Sequence, residues 1–94
     1  MTLDPDRLQT RLQEAFGGTD GECRTVTRQA VDLADSGRYE ETHDYSLTLE
    51  VICAELADAR EGTAADRWNW WIGALELAHG GYIEFRVSQY RSPG

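Results

Sequence analysis

The chain has 94 residues and a formal net charge of -8, because 17 acidic residues face 9 basic ones, all of them arginine. Its length suits one domain with a single modest core, which we predict over residues 1–91, followed by a disordered tail at 92–94. The acidity of the chain argues against a nucleic-acid partner. Apolar runs stay far below the about eighteen residues of a membrane span, and MTLDPDRLQ lacks signal-peptide order, so we expect a cytoplasmic protein with no membrane partner.

Two helices are marked at the beginning of the chain. Asp4 and Pro5 provide an N-cap and a proline at the first helical position, and an apolar stripe follows until a glycine pair. A second helix begins after Thr19, whose spacing to Glu22 is that of a capping box, and it ends at Gly37.

The segment of residues 38–47 allows two interpretations. Its apolar residues alternate up to Val51 as in a strand, whereas those from Leu49 onward repeat as in a helix. We predict a loop or a short extended segment over 38–47, followed by a helix from about Thr48 to Arg60.

The last helix is predicted from Thr63, again at capping-box spacing to an acid, to His79 before two glycines. The following YIEFRVSQY alternates apolar and polar residues as a strand does. A lone strand must pair with residues 38–47 or with a second subunit, unless the segment is instead a short helix. The predicted fold is therefore mainly α, a four-helix single domain with a short C-terminal extended segment.

Three tryptophans stand within four residues of this last helix. A projection at 100° per residue puts Trp68 and Trp71 on one apolar face and Trp70 on nearly the opposite face, with a narrow polar stripe between them. The second apolar face is either wrapped by the rest of the domain, paired with another copy, or a stacking platform for a sugar, base or peptide. We favour a homodimer, with a further protein partner possible in principle. The predicted interface residues are Trp70, Leu77, Tyr82, Ile83 and Phe85.

Both histidines follow a glutamate by three residues, as Glu40 with His43 and Glu76 with His79. On a helix this spacing puts a carboxylate and an imidazole on one face, and helical di-metal proteins use two such pairs. The alternative function is therefore a metal-binding helical protein or a metal-dependent enzyme built on these four residues. The simpler interpretation is a solvated His43 and a His79 that interacts with a helix dipole. Phosphate loops and nucleophile motifs are missing, so no cofactor is predicted and a non-enzymatic role is favoured.

The two cysteines, Cys23 and Cys53, lack the CxxC spacing of a zinc site and do not make the framework of a disulfide-rich secreted domain. Each lies at helical spacing among apolar residues, where a free cysteine behaves as a small hydrophobe. We therefore predict two buried thiols.

The acidic, lysine-free character of the chain, with the strings RWNWW, ELAHGGY and ELADAREG, resembles small uncharacterised cytosolic proteins of haloarchaea. The resemblance implies a domain of unknown function in a salt-rich cytoplasm, where a dense carboxylate surface stays hydrated and screening removes self-repulsion. GC-rich coding in an actinobacterium is the other explanation for arginine in place of lysine. The predicted function is a non-enzymatic, self-associating interaction or regulatory module of a halophile.

Overall fold

The computed structural model describes residues 3–87, which form five α-helices and one turn of 3-10 helix. The mainly α class is confirmed, and four of the helices correspond to the four predicted ones. The predicted tail at 92–94 and the end of the predicted extended segment lie outside the described residues. The helices are α1 (Pro5–Phe16), α2 (Asp20–Ser36), α3 (Arg38–His43), α4 (Leu49–Ala57) and α5 (Ala64–His79), and the 3-10 turn is Ile83–Phe85.

The core lies where α2 packs against α1 and α5. Helix α4 also packs against α1 and α5. The inward stripes predicted for these helices supply its residues, since apolar side chains at helical spacing share one face. The largest aliphatic side chains without exposed surface are Leu8, Leu12, Val26, Leu33, Ile52, Leu56 and Ile72.

The two side chains of the predicted capping box, Thr19 and Glu22, bind the backbone of two different helices. The Thr19 hydroxyl accepts a hydrogen bond from the Glu22 N–H at 3.0 Å, as a cap requires. The Glu22 carboxylate, however, accepts from the Ala65 N–H in the first turn of α5 at 2.9 Å, and the side chain is buried. Glu22 thereby satisfies a free N–H at the N-terminus of α5 and fixes that end against α2.

Residues 38–43 form a short helix, so the loop or extended segment predicted there is wrong for this part of 38–47. Gly37 ends α2 with φ 75°, a left-handed conformation that turns the chain directly into α3. In the six residues of α3, only Tyr39 is buried. One buried position cannot produce a visible helical period, which explains why the sequence pattern did not reveal the helix.

The segment after α5 forms a 3-10 turn at Ile83–Phe85, where the alternating pattern predicts an extended strand. A 3-10 turn brings residues three apart to one side, and Tyr82 and Phe85 accordingly point into the core. Ile83 lies outside, with 51% of its surface exposed. The short-helix interpretation therefore holds for these residues, and Arg86 directly after the turn has extended backbone angles.

Both cysteines are free, with Cys23 buried and Cys53 partly buried. Burial raises the pKa of the Cys23 thiol, and the nearby charges of Glu22 and Asp20 raise it further. Burial also raises the pKa of Cys53, although Arg11 opposes part of this effect. Each thiol therefore stays protonated in the folded chain at a pH where the unfolded chain already ionises.

These raised pKa values predict an alkaline loss of stability. From about pH 8 to pH 10 the unfolded chain binds fewer protons than the folded chain, so the free energy of unfolding falls as the pH rises. Urea unfolding across this range measures the slope. A variant with both Cys23→Ala and Cys53→Ala should show a shallower decline, and an unchanged slope would contradict the assignment to the thiols.

The candidate interaction surface on α5

The three tryptophans of α5 have different environments. Trp68 is fully buried, Trp71 is 3% exposed and Trp70 is 49% exposed. The Trp68 and Trp71 rings meet edge to face at 5.5 Å, and Trp71 lies 5.8 Å from the ring of Tyr39 on α3. The predicted separation of Trp68 and Trp71 from Trp70 is thus confirmed. His79, the last residue of α5, is exposed.

The narrow polar stripe of α5 binds the backbone of the segment that follows the helix. The Asn69 side chain donates to the Val87 carbonyl at 2.7 Å and accepts from the Val87 N–H at 2.8 Å. One oxygen of Glu76 accepts from the N–H groups of Tyr82 and Ile83 at 2.7 and 2.9 Å. Side chains of α5 thus give this segment the backbone partners that the sequence showed it must have.

Trp68 is the third side chain of α5 that binds this backbone, because its indole N–H donates to the Phe85 carbonyl at 2.8 Å. These contacts involve main-chain atoms of the segment, while the side chains of Tyr82, Phe85 and Val87 fill the core. The roles of Asn69 and Glu76 were missed from the sequence. Their common position on one stripe of the helix, seven residues apart, was the available signal.

The structure separates the predicted interface residues into two groups. Trp70, Leu77 and Ile83 are exposed, with Leu77 at 91% the most accessible of them. Tyr82 and Phe85 are buried in the domain itself, because the 3-10 turn directs both inward, and they are not part of an accessible surface. We call the exposed apolar stripe of α5, formed by Trp70, Ala74, Leu77 and Ala78, the outer face.

Of the four residues predicted as metal ligands, the structure brings the two histidines together. Their ring centroids are 5.0 Å apart. The Glu76 carboxylate is instead turned to the backbone of the C-terminal segment, and Glu40 is exposed on α3. Within residues 3–87, no group of three or more His, Cys, Asp or Glu side chains is arranged to hold a metal ion.

These features define a small helical domain in which one tryptophan-rich helix holds the following segment of its own chain and exposes an apolar face. The chain belongs to the WNWW domain family, whose model matches residues 1–76. The four letters occur in the chain as Trp68 to Trp71, and the segment held by Trp68 and Asn69 lies beyond the matched residues. No curated protein and no solved structure matches the chain. None of the helices within residues 3–87 has the length and apolar character to cross a membrane.

Proposed function

We propose that the domain is a non-enzymatic interaction or regulatory module that associates with a second copy of itself through the outer face of α5. The observation that carries this proposal is the position of Trp70. Trp68, Asn69 and Trp71 each pack or hydrogen-bond inside the domain, whereas half of the Trp70 surface is in contact with solvent. Exposed tryptophans are enriched among the residues that contribute most to protein interfaces.

The charge distribution favours this face for contact between copies. Each chain carries a net charge of -8, so two copies repel wherever carboxylates face each other. The four residues of the outer face are uncharged, and they extend from Trp70 to Ala78, about 12 Å along the helix. Glu76 lies within this range but belongs to the polar stripe. Ala74 at the centre of the outer face is small enough for two helix axes to approach within about 8–10 Å. Ile83 is a further exposed apolar residue on the segment after α5.

We further propose that the module works in a salt-rich cytoplasm. At about 1 M salt the Debye length is about 3 Å, so the repulsion between two acidic copies is largely screened while apolar contact is retained. Self-association through the outer face should therefore become tighter as KCl is added. An interface held by salt bridges would respond in the opposite direction.

The test is the molar mass in solution, measured by light scattering after size exclusion in multimolar KCl. We expect a dimer, and Trp70→Glu should weaken it by at least about 2 kcal/mol, enough to yield soluble monomer. Ala54→Glu is the matched control, since it adds the same charge at an exposed position on α4 and should leave the dimer intact. A monomeric native chain at every salt and protein concentration, or a Trp70→Glu dimer as tight as the native one, would refute the proposal.

A further inference from the structure

The two histidines of the chain end two different helices and meet at the surface. His43 is the last residue of α3 and His79 the last residue of α5. Their rings are 5.0 Å apart between centroids, with an interplanar angle of 68°. His79 is exposed and His43 is partly exposed, so the pair lies at the surface.

This separation suits two imidazoles that share one metal ion. A metal–nitrogen bond of about 2 Å, added to about 1 Å from the nitrogen to the ring centre, puts the metal about 3 Å from each centroid. At a near-tetrahedral angle the two centroids then lie about 5 Å apart. The observed centroid distance of 5.0 Å matches this value.

The surroundings of His43 hold its ring in place and leave one nitrogen available. The ring stacks on Tyr39 at 3.9 Å with an interplanar angle of 9°. Its Nδ1 lies 3.1 Å from the Tyr39 carbonyl oxygen and 2.7 Å from the Thr42 hydroxyl. When Nδ1 bonds to a backbone carbonyl, Nε2 is the nitrogen left to bind a metal, as is usual for metal-ligating histidines.

Electrostatics at this position favour a cation. Both histidines lie at helix C-termini, where the partial charge is negative, and the whole chain is acidic. The Glu76 carboxylate bonds to two backbone N–H groups and is therefore not counted as a ligand. Water would complete the coordination.

We propose that His43 and His79 form a surface site for one imidazole-preferring transition-metal ion, of the class of Cu²⁺, Ni²⁺ and Zn²⁺. Imidazole ligands suit these ions better than the hard cations Mg²⁺ and Ca²⁺, which prefer oxygen. The site uses neither the outer face of α5 nor Trp70, so it stands independently of the proposed self-association.

The site is tested by calorimetric titration of the full chain with NiCl₂ in a non-chelating buffer. We expect saturation at one equivalent, with the imidazole proton resonances of both histidines shifting or broadening together. His79→Ala should weaken binding at least about tenfold, since even the loss of an outer-shell partner of a ligand costs about 10–100-fold. His79 is exposed, so this variant should retain the native circular dichroism and thermal midpoint.

Glu84→Gln is the control for binding by the acidic surface, since it removes an exposed carboxylate from the 3-10 turn and leaves both histidines in place. It should bind Ni²⁺ as the native chain does. Equal affinity in the native chain and in folded His79→Ala would assign the ion to carboxylates and overturn the proposal. The absence of saturable binding to the native chain would overturn it as well.

Discussion

Trp68→Ala is expected to lower the free energy of unfolding by about 3–5 kcal/mol, the range for removing a large aromatic side chain from a core. Trp68 has no exposed surface, packs edge to face on Trp71, and donates its indole N–H to the Phe85 carbonyl. Its removal leaves a cavity in the core and a carbonyl without its donor. Trp70→Ala, two residues away in the same motif, should change the stability of the monomer by less than about 1 kcal/mol.

Urea unfolding followed by circular dichroism measures both variants. Low salt and low protein concentration are needed, because binding to a second copy raises the apparent stability of the folded chain. Trp68→Phe separates the two contributions of Trp68: it keeps an aromatic ring but loses the indole N–H, and we expect a loss that falls short of the alanine variant. Equal destabilisation by Trp68→Ala and Trp70→Ala would show that the two rings are equally buried and contradict the assigned faces.

Local signals in the sequence were sufficient to predict where the longer helices begin and where α1, α2 and α5 end, whereas α4 ends at Ala57, three residues before the predicted Arg60. Asp4 and Thr48 cap α1 and α4 through side-chain oxygens, and Gly37 ends α2 in the left-handed conformation. The helical projection was also sufficient to distinguish Trp68 and Trp71 from Trp70, because it depends only on positions within one helix. Features that depend on a single element could therefore be predicted from this sequence.

Features that depend on distant residues could not be predicted in the same way. The Thr19 spacing correctly predicted a cap, but the partner of Glu22 is the N–H of Ala65, which only the packing of α2 on α5 brings close. The alternation of Ile83 and Phe85 is typical of a strand, yet the chain forms a turn there, because Asn69 and other side chains of α5 satisfy the backbone of this segment.

The histidines show the same difference between features of a single helix and contacts between distant residues. The two Glu-x-x-His spacings predicted two carboxylates and two imidazoles on helix faces, and His43 and His79 do end two helices. Spacing within a helix cannot show which side chain has another partner. Glu76 is engaged by the backbone of the segment after α5, a contact that the fold alone determines. The further inference therefore depends on the imidazole pair, whose separation only the structure gives.

Arg67→Met is expected to lower the free energy of unfolding by about 2–4 kcal/mol, because Arg67 holds together the turn between α4 and α5. Its Nε donates to the Gly62 carbonyl at 2.7 Å, and one terminal nitrogen donates to the carbonyls of Leu56 and Ala59 at 3.1 and 2.9 Å. The guanidinium carbon also lies 4.8 Å from the centre of the Phe16 ring. One partly buried cation thus joins the end of α4, the following turn and α1.

The geometry of these contacts requires arginine. A lysine ammonium is a point charge without the planar fork that reaches several carbonyls at once, so Arg67→Lys should recover only a small part of the loss. The partners are neutral carbonyls at contact distance, so the loss should be nearly the same in low salt and in multimolar KCl. Urea unfolding in both conditions measures it, with Arg60→Met, an exposed arginine beside the same turn, as the control. Full stability in Arg67→Lys, or a loss that disappears at high salt, would mean that Arg67 acts through its charge alone.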